Sequence, residues 1–291
     1  MEIIPFDDRD GYIWFNGKLN SWRDTKTHVI THGLHYGSLV FEGERSYEGK
    51  IFKGEDHTLR LINSANIMDM TLPWTKNEID SAKEEVLEVM KLSNAYVRAF
   101  AWRGSEMMAV SAQNTKIHMA VAAWEWPSYF DPEAKMRGIR LDISKWRRPP
   151  SECAPVHAKA AGLYMICTLA KHEAEKKGFH DTLMLSHDGF IAEATGANIF
   201  FKMEDGAIHT PIADCFLNGI TRQEVIKLIN KKGYEVIERR IKLEELKNVQ
   251  QCFLTGTAAE VTPVGQIGDF EFKPDNFCKL IMEEYSNLVK S

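Results

Sequence analysis

Residues 156–164 read Val156-His157-Ala158-Lys159-Ala160-Ala161-Gly162-Leu163-Tyr164, a lysine enclosed by small apolar residues just ahead of a segment with helical periodicity. A surface lysine is seldom set this way. Burial disfavours the charged form of an amine, and the uncharged amine is the form that attacks a carbonyl carbon. On its own the segment also fits a lysine whose stem crosses apolar surface while its head stays in water. Its weight comes from three further segments, all nearer the C-terminus.

Thirty-four residues on stands Glu193-Ala194-Thr195-Gly196-Ala197-Asn198-Ile199-Phe200. The strand-like run Gly189-Phe190-Ile191-Ala192 brings Glu193 to a strand end beside a glycine turn. A carboxylate there can keep a pyridinium nitrogen protonated; the plain alternative is an exposed loop acid. Leu217-Asn218-Gly219-Ile220-Thr221-Arg222 then opens a helix predicted over 221–232 and stopped by Gly233. A glycine turn leading into a helix presents unpaired N–H groups and the positive end of the dipole, a setting that suits phosphate. Thr221 reads equally as an ordinary N-cap. Last comes Thr255-Gly256-Thr257-Ala258-Ala259-Glu260 after a strand at 251–255. Small residues and hydroxyls at a strand end let backbone amides approach an anion, or simply make a β-turn.

The chain has 291 residues, 44% hydrophobic, 10% aromatic and 26% charged. That is ordinary globular composition, enough for two domains with cores of their own, and it excludes disordered or fibrous classes. A net charge of −5 argues against non-specific nucleic-acid binding, which rests on cationic contacts to phosphate. The only basic cluster beside an aromatic, Trp146-Arg147-Arg148, is too short to count. Five scattered cysteines, with no C-x-x-C pair, fit free thiols in a reducing cytosol rather than disulfides or zinc. His32 and His35, three apart with no carboxylate companion, make no metal site. Residues 1–8 lack a basic segment followed by an apolar run, so no signal peptide is expected. No uncharged apolar stretch approaches the roughly 20 residues that span a bilayer. The expectation is a soluble cytoplasmic protein that binds neither nucleic acid nor membrane. G-x-G-x-x-G, G-x-x-x-x-G-K-[ST] and G-x-S-x-G are all absent.

The first half reads as strands, helices, then strands. Tyr12–Phe15 ends at Asn16-Gly17, a strong hairpin turn signal, and 46–52 reads as a second hairpin. A helix over about 56–69 places Leu59, Ile62, Ala65 and Met68 on one face. A second opens on the capping box Thr75-Lys76-Asn77-Glu78 and carries Ile79, Ala82, Val86 and Val89. Strands are predicted next at 95–102 and 116–124. The second half reads as a strand at 139–143, a helix over 161–176, hairpins turning at 186–189 and 204–206, strands at 234–241 and 251–255, and a C-terminal helix through Phe277, Leu280, Ile281 and Leu288. Two mixed α+β domains are expected: 1–124, a linker at 125–135 with Pro127 and Pro132, and 136–291 carrying Lys159.

The four segments around Lys159, Glu193, Gly219 and Thr257, in this order, resemble the second half of the fold-type IV pyridoxal-phosphate transaminases, and the resemblance runs from about Tyr12 to the C-terminal helix. In the first half, His32-Gly33-Leu34-His35-Tyr36-Gly37-Ser38-Leu39-Val40-Phe41-Glu42-Gly43 with Arg45, then His57-Thr58-Leu59-Arg60-Leu61 and Ala95-Tyr96-Val97-Arg98, are similar to the branched-chain amino acid aminotransferases in particular. The resemblance implies a two-domain α+β (α/β) architecture with the cofactor at the domain interface. It makes Lys159 the catalytic residue and covalent holder of pyridoxal 5′-phosphate. Glu193 falls to the ring nitrogen and Tyr164 to the phenolic oxygen. Arg60, the amides of Ile220 and Thr221 and the hydroxyl of Thr257 fall to the phosphate.

On the substrate side it implies apolar walls from Phe41, Trp126 and Tyr129, with Tyr36 reaching in from a second subunit. The Thr257-Ala258 amides, helped by Tyr96, meet the α-carboxylate, and Arg98 meets the distal carboxylate of glutamate. Phe41, Gly43, Arg45, Tyr96 and Arg98 favour branched-chain L-amino acids, exchanged with 2-oxoglutarate and glutamate by a ping-pong cycle in at least a homodimer. A D-amino-acid or (R)-amine transaminase, or an aminodeoxychorismate lyase, shares the fold and is the alternative. The chain departs from the pattern twice. Residues 102–110 carry bulky Met107 and Met108 instead of a glycine-rich closing loop, and Asn218 replaces a common proline, which softens the phosphate turn.

Overall fold

A computed structural model of the chain describes residues 4–126 and 135–291. They form two compact units, Met1–Ser128 with Ala158–Gly162, and Tyr129–His157 with Leu163–Ser291. The first differs from the expected N-terminal domain in one consequential place: Lys159 belongs to it, not to the C-terminal half. The reason is backbone pairing. Val40 bridges Ala160, and the Phe41 N–H donates to the Lys159 carbonyl at 3.1 Å. Of the expected linker, residues 127–134 lie outside the described residues, and Tyr129 with them.

Unit 1 is built on an antiparallel sheet of β1 (Tyr12–Phe15), β2 (Lys18–Ser21), β3 (Leu39–Phe41), β4 (Glu44–Tyr47), β5 (Lys50–Ile51), β6 (Ala95–Arg103) and β7 (Ile117–Glu125). The order is β2-β1-β7-β6-β4-β5, with β3 also paired to β6. The β1–β2 turn is the predicted Asn16-Gly17, both at positive φ as the tight hairpin requires. A short helix, α1 (His32–Tyr36), precedes β3, and α2 (Gly54–Ile67) and α3 (Lys76–Val89) pack on the sheet. Along β6 the two-residue period divides the chemistry. Ala95, Val97, Ala99 and Ala101 are buried in the core, while Tyr96, Arg98 and Phe100 share the opposite face. Small alanines let the helices approach closely, and the other face is left for larger polar groups.

The capping box at Thr75 and Glu78 forms as predicted, and Ile79, Ala82 and Val86 are buried, though Val89 is exposed. The expected face of α2 is only partly the inward one: Ala65 is buried and Ile62 and Met68 are half-buried. Leu59 is 50% exposed, and the buried residues are His57, Thr58, Leu61, Ser64 and Ala65. Polar groups point inward because α2 meets a buried ionic network. Lys83 Nζ donates to Glu44 Oε2 at 2.9 Å and to the Thr58 hydroxyl at 2.5 Å, and Thr58 donates to Asp80. Lys83 and Glu44 are 1% and 0% exposed. Burial pushes the Glu44 carboxyl above its ordinary range, against the pull of Lys83.

Unit 2 holds a mixed sheet of β8 (Ile139–Arg148), β9 (Asp181–Ser186), β10 (Ile191–Ala194), β11 (Asn198–Met203), β12 (Ile208–Pro211), β13 (Val236–Arg239), β14 (Val249–Gly256), β15 (Glu260–Ile267) and β16 (Phe270–Glu271). The order is β10-β9-β8-β15-β14-β11-β12-β13, with β16 on β15, and the pairs β8–β9, β8–β15 and β12–β13 are parallel. Helix α4 (Tyr164–Lys176) packs on β8 and β9, α5 (Ile220–Lys231) on β14, and α6 (Asn276–Leu288) on β14, β15 and α5. Leu141, Leu183, Ile199, Phe201, Leu254 and Val264 centre its core. Among the described residues, no helix is long and apolar enough to cross a membrane.

Because removing one member of a buried ion pair strands the other, Lys83→Met should lower stability by about 3–5 kcal/mol, read from the shift of the urea midpoint. The double variant Glu44→Leu with Lys83→Met should recover most of it.

Candidate active site

In unit 1 the chain around Lys159 is held from both sides of the residue. Its N–H donates to the Ser64 hydroxyl on α2 at 3.0 Å, and its carbonyl accepts from Phe41. Ala158 and Ala160 are buried and Lys159 itself is half-buried. The Nζ lies 4.9 Å from the centre of the Phe41 ring, and the Arg98 guanidinium lies 4.6 Å from the same centre. Ser64, not singled out in the sequence, is the anchor that reasoning along the chain misses: it lies 95 residues from its partner.

Arg60 faces Glu42. Its Nε and Nη2 donate to the two carboxylate oxygens at 2.7 and 2.8 Å, and the His57 Nδ1–H donates to Oε2 at 2.7 Å. Such a bidentate fork fixes the plane of the guanidinium. Glu42 is fully buried. Burial alone would raise its carboxyl, but the Arg60 charge, with its hydrogen bonds and those of His57, outweighs that and holds it well below the usual carboxylate range.

The remaining unit 1 residues named by the sequence, Tyr36 apart, share one neighbourhood. Arg98 Nη2 donates to the Tyr96 hydroxyl at 3.2 Å, and Tyr96 stacks on Trp124 and leans on Trp126, with centroids 5.0 and 5.4 Å apart. Gly43 makes room for this: a Cβ there would overlap the Tyr96 hydroxyl. Arg45, 3% exposed, lies over Tyr47 and donates to the Trp126 carbonyl at 3.4 Å. Tyr36 stands on the surface, half exposed, stacked on His32. The His32 Nε2–H donates to the Ala109 carbonyl at 2.9 Å, which ties the 104–116 connection to α1. Met108 there is exposed and Met107 half-buried.

In unit 2, Glu193, the next-to-last residue of β10, is almost fully buried. Arg148 Nε lies 3.5 Å from its Oε1, and Asn198 Nδ2 donates to Oε2 at 3.2 Å. Burial works against the Arg148 charge, but Glu193, with Cys167 behind it, more than offsets that and raises the guanidinium's pKa. Burial pushes the neighbouring Cys167 thiol up to about 11 and Cys215 up to about 12, which leaves both inert. In the sequence Arg148 is only the end of a short basic cluster. Its role is set by strand pairing across the sheet, which spacing does not reveal.

Asn198 also donates to the Leu217 carbonyl at 3.1 Å and accepts from the Gly219 N–H at 3.2 Å. One buried amide thereby joins the acid at 193 to the turn before α5. Gly219, not Thr221, is the N-cap, with no side chain to cap the helix. The first-turn amides of Ile220 and Thr221 have no intrahelical acceptor. A Cβ at Gly219 would overlap the Asn198 amide oxygen. The second turn, Thr257–Ala259 between β14 and β15, begins just past Thr255, which pairs with Asn198 across the sheet. A Cβ at Gly256 would lie 3.3 Å from the Gly196 carbonyl, and Thr255 has a buried hydroxyl that meets no partner among the described residues. Thr257 is half-buried and Ala258 exposed. Tyr164 opens α4 on the wall of a ≈360 Å³ groove shared with Thr195 and Gly196. The Asn218 side-chain oxygen accepts a hydrogen bond from Arg222 Nη1 at 2.9 Å.

The residues present suit a phosphorylated heteroaromatic aldehyde. Unit 1 offers a half-buried amine on a fixed backbone; unit 2, taken by itself, offers a buried acid braced by an arginine and an amide, and an uncapped helix start behind a glycine with no space for a side chain. The chain matches the family model described as amino-transferase class IV over residues 39–267. It is 41% identical over 264 residues to a branched-chain-amino-acid aminotransferase of Pseudomonas aeruginosa, covering 89% of this chain and 86% of that one. The fold is similar to that of a T.th. branched-chain amino acid aminotransferase with pyridoxamine 5′-phosphate, with a TM-score of 0.94 at 36% identity, covering 97% and 95% of the two chains. The same enzyme complexed with N-(5′-phosphopyridoxyl)-L-glutamate matches with a TM-score of 0.91 at the same identity and coverage.

A carboxyl held below its unfolded value contributes stability above that value and loses it as pH falls toward the folded one. Glu42→Gln should therefore be markedly less stable than the parent at pH 7. The difference should shrink as pH drops below the ordinary 4.5 of a glutamate, as read from urea midpoints between pH 7 and pH 3.

Proposed function

The chain belongs to the class IV aminotransferases, and from that premise we propose that it moves the amino group between branched-chain L-amino acids (leucine, isoleucine and valine) and 2-oxoglutarate, in a ping-pong cycle with glutamate as the second amine. The observation that carries the reading is Lys159, an amine on a backbone pinned by Phe41 and Ser64. Pyridoxal 5′-phosphate, when bound, supplies an aldehyde that takes up the amino group and a ring that delocalises the charge left when the substrate Cα–H bond breaks.

Lys159 holds the cofactor through Nζ. The same nitrogen would serve as the base that takes the proton from the substrate Cα and gives it back. Glu193, braced by Arg148 and Asn198, keeps the proton on the ring nitrogen, and Tyr164 steadies the phenolic oxygen. Arg60, the Ile220 and Thr221 amides and the Thr257 hydroxyl take the phosphate. Phe41 and Trp126 offer apolar walls to an aliphatic side chain, and Tyr129 is assigned with them. The Thr257-Ala258 amides and Tyr96 receive the α-carboxylate. Arg98, hydrogen-bonded to Tyr96, serves the second substrate as the cation that meets the extra carboxylate of glutamate. Gly43 and Arg45 act through this group: Gly43 admits the Tyr96 hydroxyl, and Arg45 fixes the backbone at Trp126.

We further assign at least a homodimer. Val29, Ile30, Leu34, Tyr36, Met108 and Val110 are large apolar side chains left exposed around α1 and the connection His32 holds. A second copy covering them would bring Tyr36 toward a neighbouring substrate. Five free cysteines support a cytoplasmic setting.

The test is direct. After incubation with pyridoxal phosphate and reduction with borohydride, peptide mass spectrometry should place the adduct on Lys159. Lys159→Ala should lose the adduct and fall in turnover by on the order of 10²–10⁴-fold. L-leucine with 2-oxoglutarate should turn over, whereas D-alanine and (R)-phenylethylamine should not; turnover of only those two would sink the substrate assignment.

A further inference from the structure

The deepest buried cation of unit 2 lies in the first turn of α5. Arg222 is 1% exposed, and a positive charge at a helix N-terminus works against the dipole. Its contacts show what it does there. Nη2 donates to the Pro211 carbonyl at 2.9 Å and to Glu238 Oε2 at 2.6 Å, which fixes the guanidinium to β12 and β13. Nη1 donates to Asn218 Oδ1 at 2.9 Å. Asn218 is exposed and precedes the glycine that opens the helix.

We propose that Asn218 and Arg222 are positioning residues for the phosphate of the cofactor: the buried guanidinium pins the Leu217-Asn218-Gly219 turn to the sheet so that the Ile220 and Thr221 amides already point at the anion before it arrives. The proposal rests on the assignment of that turn to the phosphate and goes beyond it. Each residue of the turn has its own holder. Asn198 bonds the Leu217 carbonyl and the Gly219 N–H, Gln223 Nε2 donates to the Asn218 carbonyl at 3.1 Å, and Arg222 holds the Asn218 side chain. The Asn218–Arg222 bond connects the turn's exposed corner to a rigid strand pair. A binding loop fixed in its bound form loses less entropy when ligand arrives, and the saving appears as affinity. The share at stake belongs to the phosphate and not to the ring.

The experiment titrates wild-type protein and Asn218→Ala with pyridoxal 5′-phosphate and, separately, with pyridoxal, which has the same aldehyde and ring but no phosphate. The Ala variant should bind pyridoxal phosphate about tenfold more weakly, bind pyridoxal unchanged, and keep its thermal midpoint. Equal weakening toward both ligands would mark a general structural role and overturn the proposal, as would no weakening at all. In an Arg222→Lys background, which lacks Nη1, Asn218→Ala should add little further loss; full additivity would show that the two do not act as a unit. Should Arg222→Lys fail to fold, the comparison of the two ligands decides alone. Wild-type protein with no preference for pyridoxal phosphate over pyridoxal would overturn the phosphate assignment itself, a result distinct from an Ala variant that keeps such a preference in full.

Discussion

One backbone contact governs the rest of the chemistry: the Phe41 N–H on the Lys159 carbonyl, with Val40 bridging Ala160 beside it. A lysine has four rotatable bonds in its stem, and its amine is directed only if the main chain beneath it is fixed. The strand edge of β3 and the Ser64 hydroxyl supply that fixity from two directions. The same pairing brings Phe41 against the lysine and against Arg98. A single stretch of chain thereby sets an aromatic ring with the Lys159 amine 4.9 Å and the Arg98 guanidinium 4.6 Å from its centre.

Charge in this protein is used for direction more than for strength. Glu42 and Glu44 lie two residues apart and both are fully buried, yet they are driven opposite ways. Glu42 meets Arg60 and His57, and their combined attraction exceeds the burial cost. Glu44 meets Lys83, and burial prevails. Buried ion pairs of this kind add little net stability over apolar packing, but they orient what they touch. Arg60 is turned by Glu42, as Glu193 is braced by Arg148. The groups assigned to a phosphate or a ring nitrogen are held by partners that are themselves fully enclosed.

What is legible in the sequence divides along physical lines. Hairpins, the capping box at Thr75 and the glycine stop at 233 depend on neighbours a few residues away, so local pattern reports them. The face of α2 escapes that pattern because apolar spacing is a sound guide only where the interior is apolar, and here His57, Thr58 and Ser64 face inward to satisfy Glu42, Lys83 and Lys159. Lys159, Glu193, Gly219 and Thr257 stand out through their residue types and order. Their supporting residues do not. Ser64, Arg148 and Asn198 acquire meaning only when distant segments meet in the fold, and the bond from Arg222 to Asn218 is equally hidden along the chain. The placement of Lys159 in unit 1 has the same origin, since proximity along the chain says nothing of the bridge to β3.

Five residues, Ala158–Gly162, belong to a compact body whose remaining chain ended thirty residues earlier. No single scissor cut in the gene can therefore yield that body intact. A fragment stopping near 126 would leave the rim of β3 bare at Val40 and Phe41, an open edge ready to pair with any stray strand. The lysine is thus also a piece of masonry: its own peptide group closes the sheet that its side chain stands on.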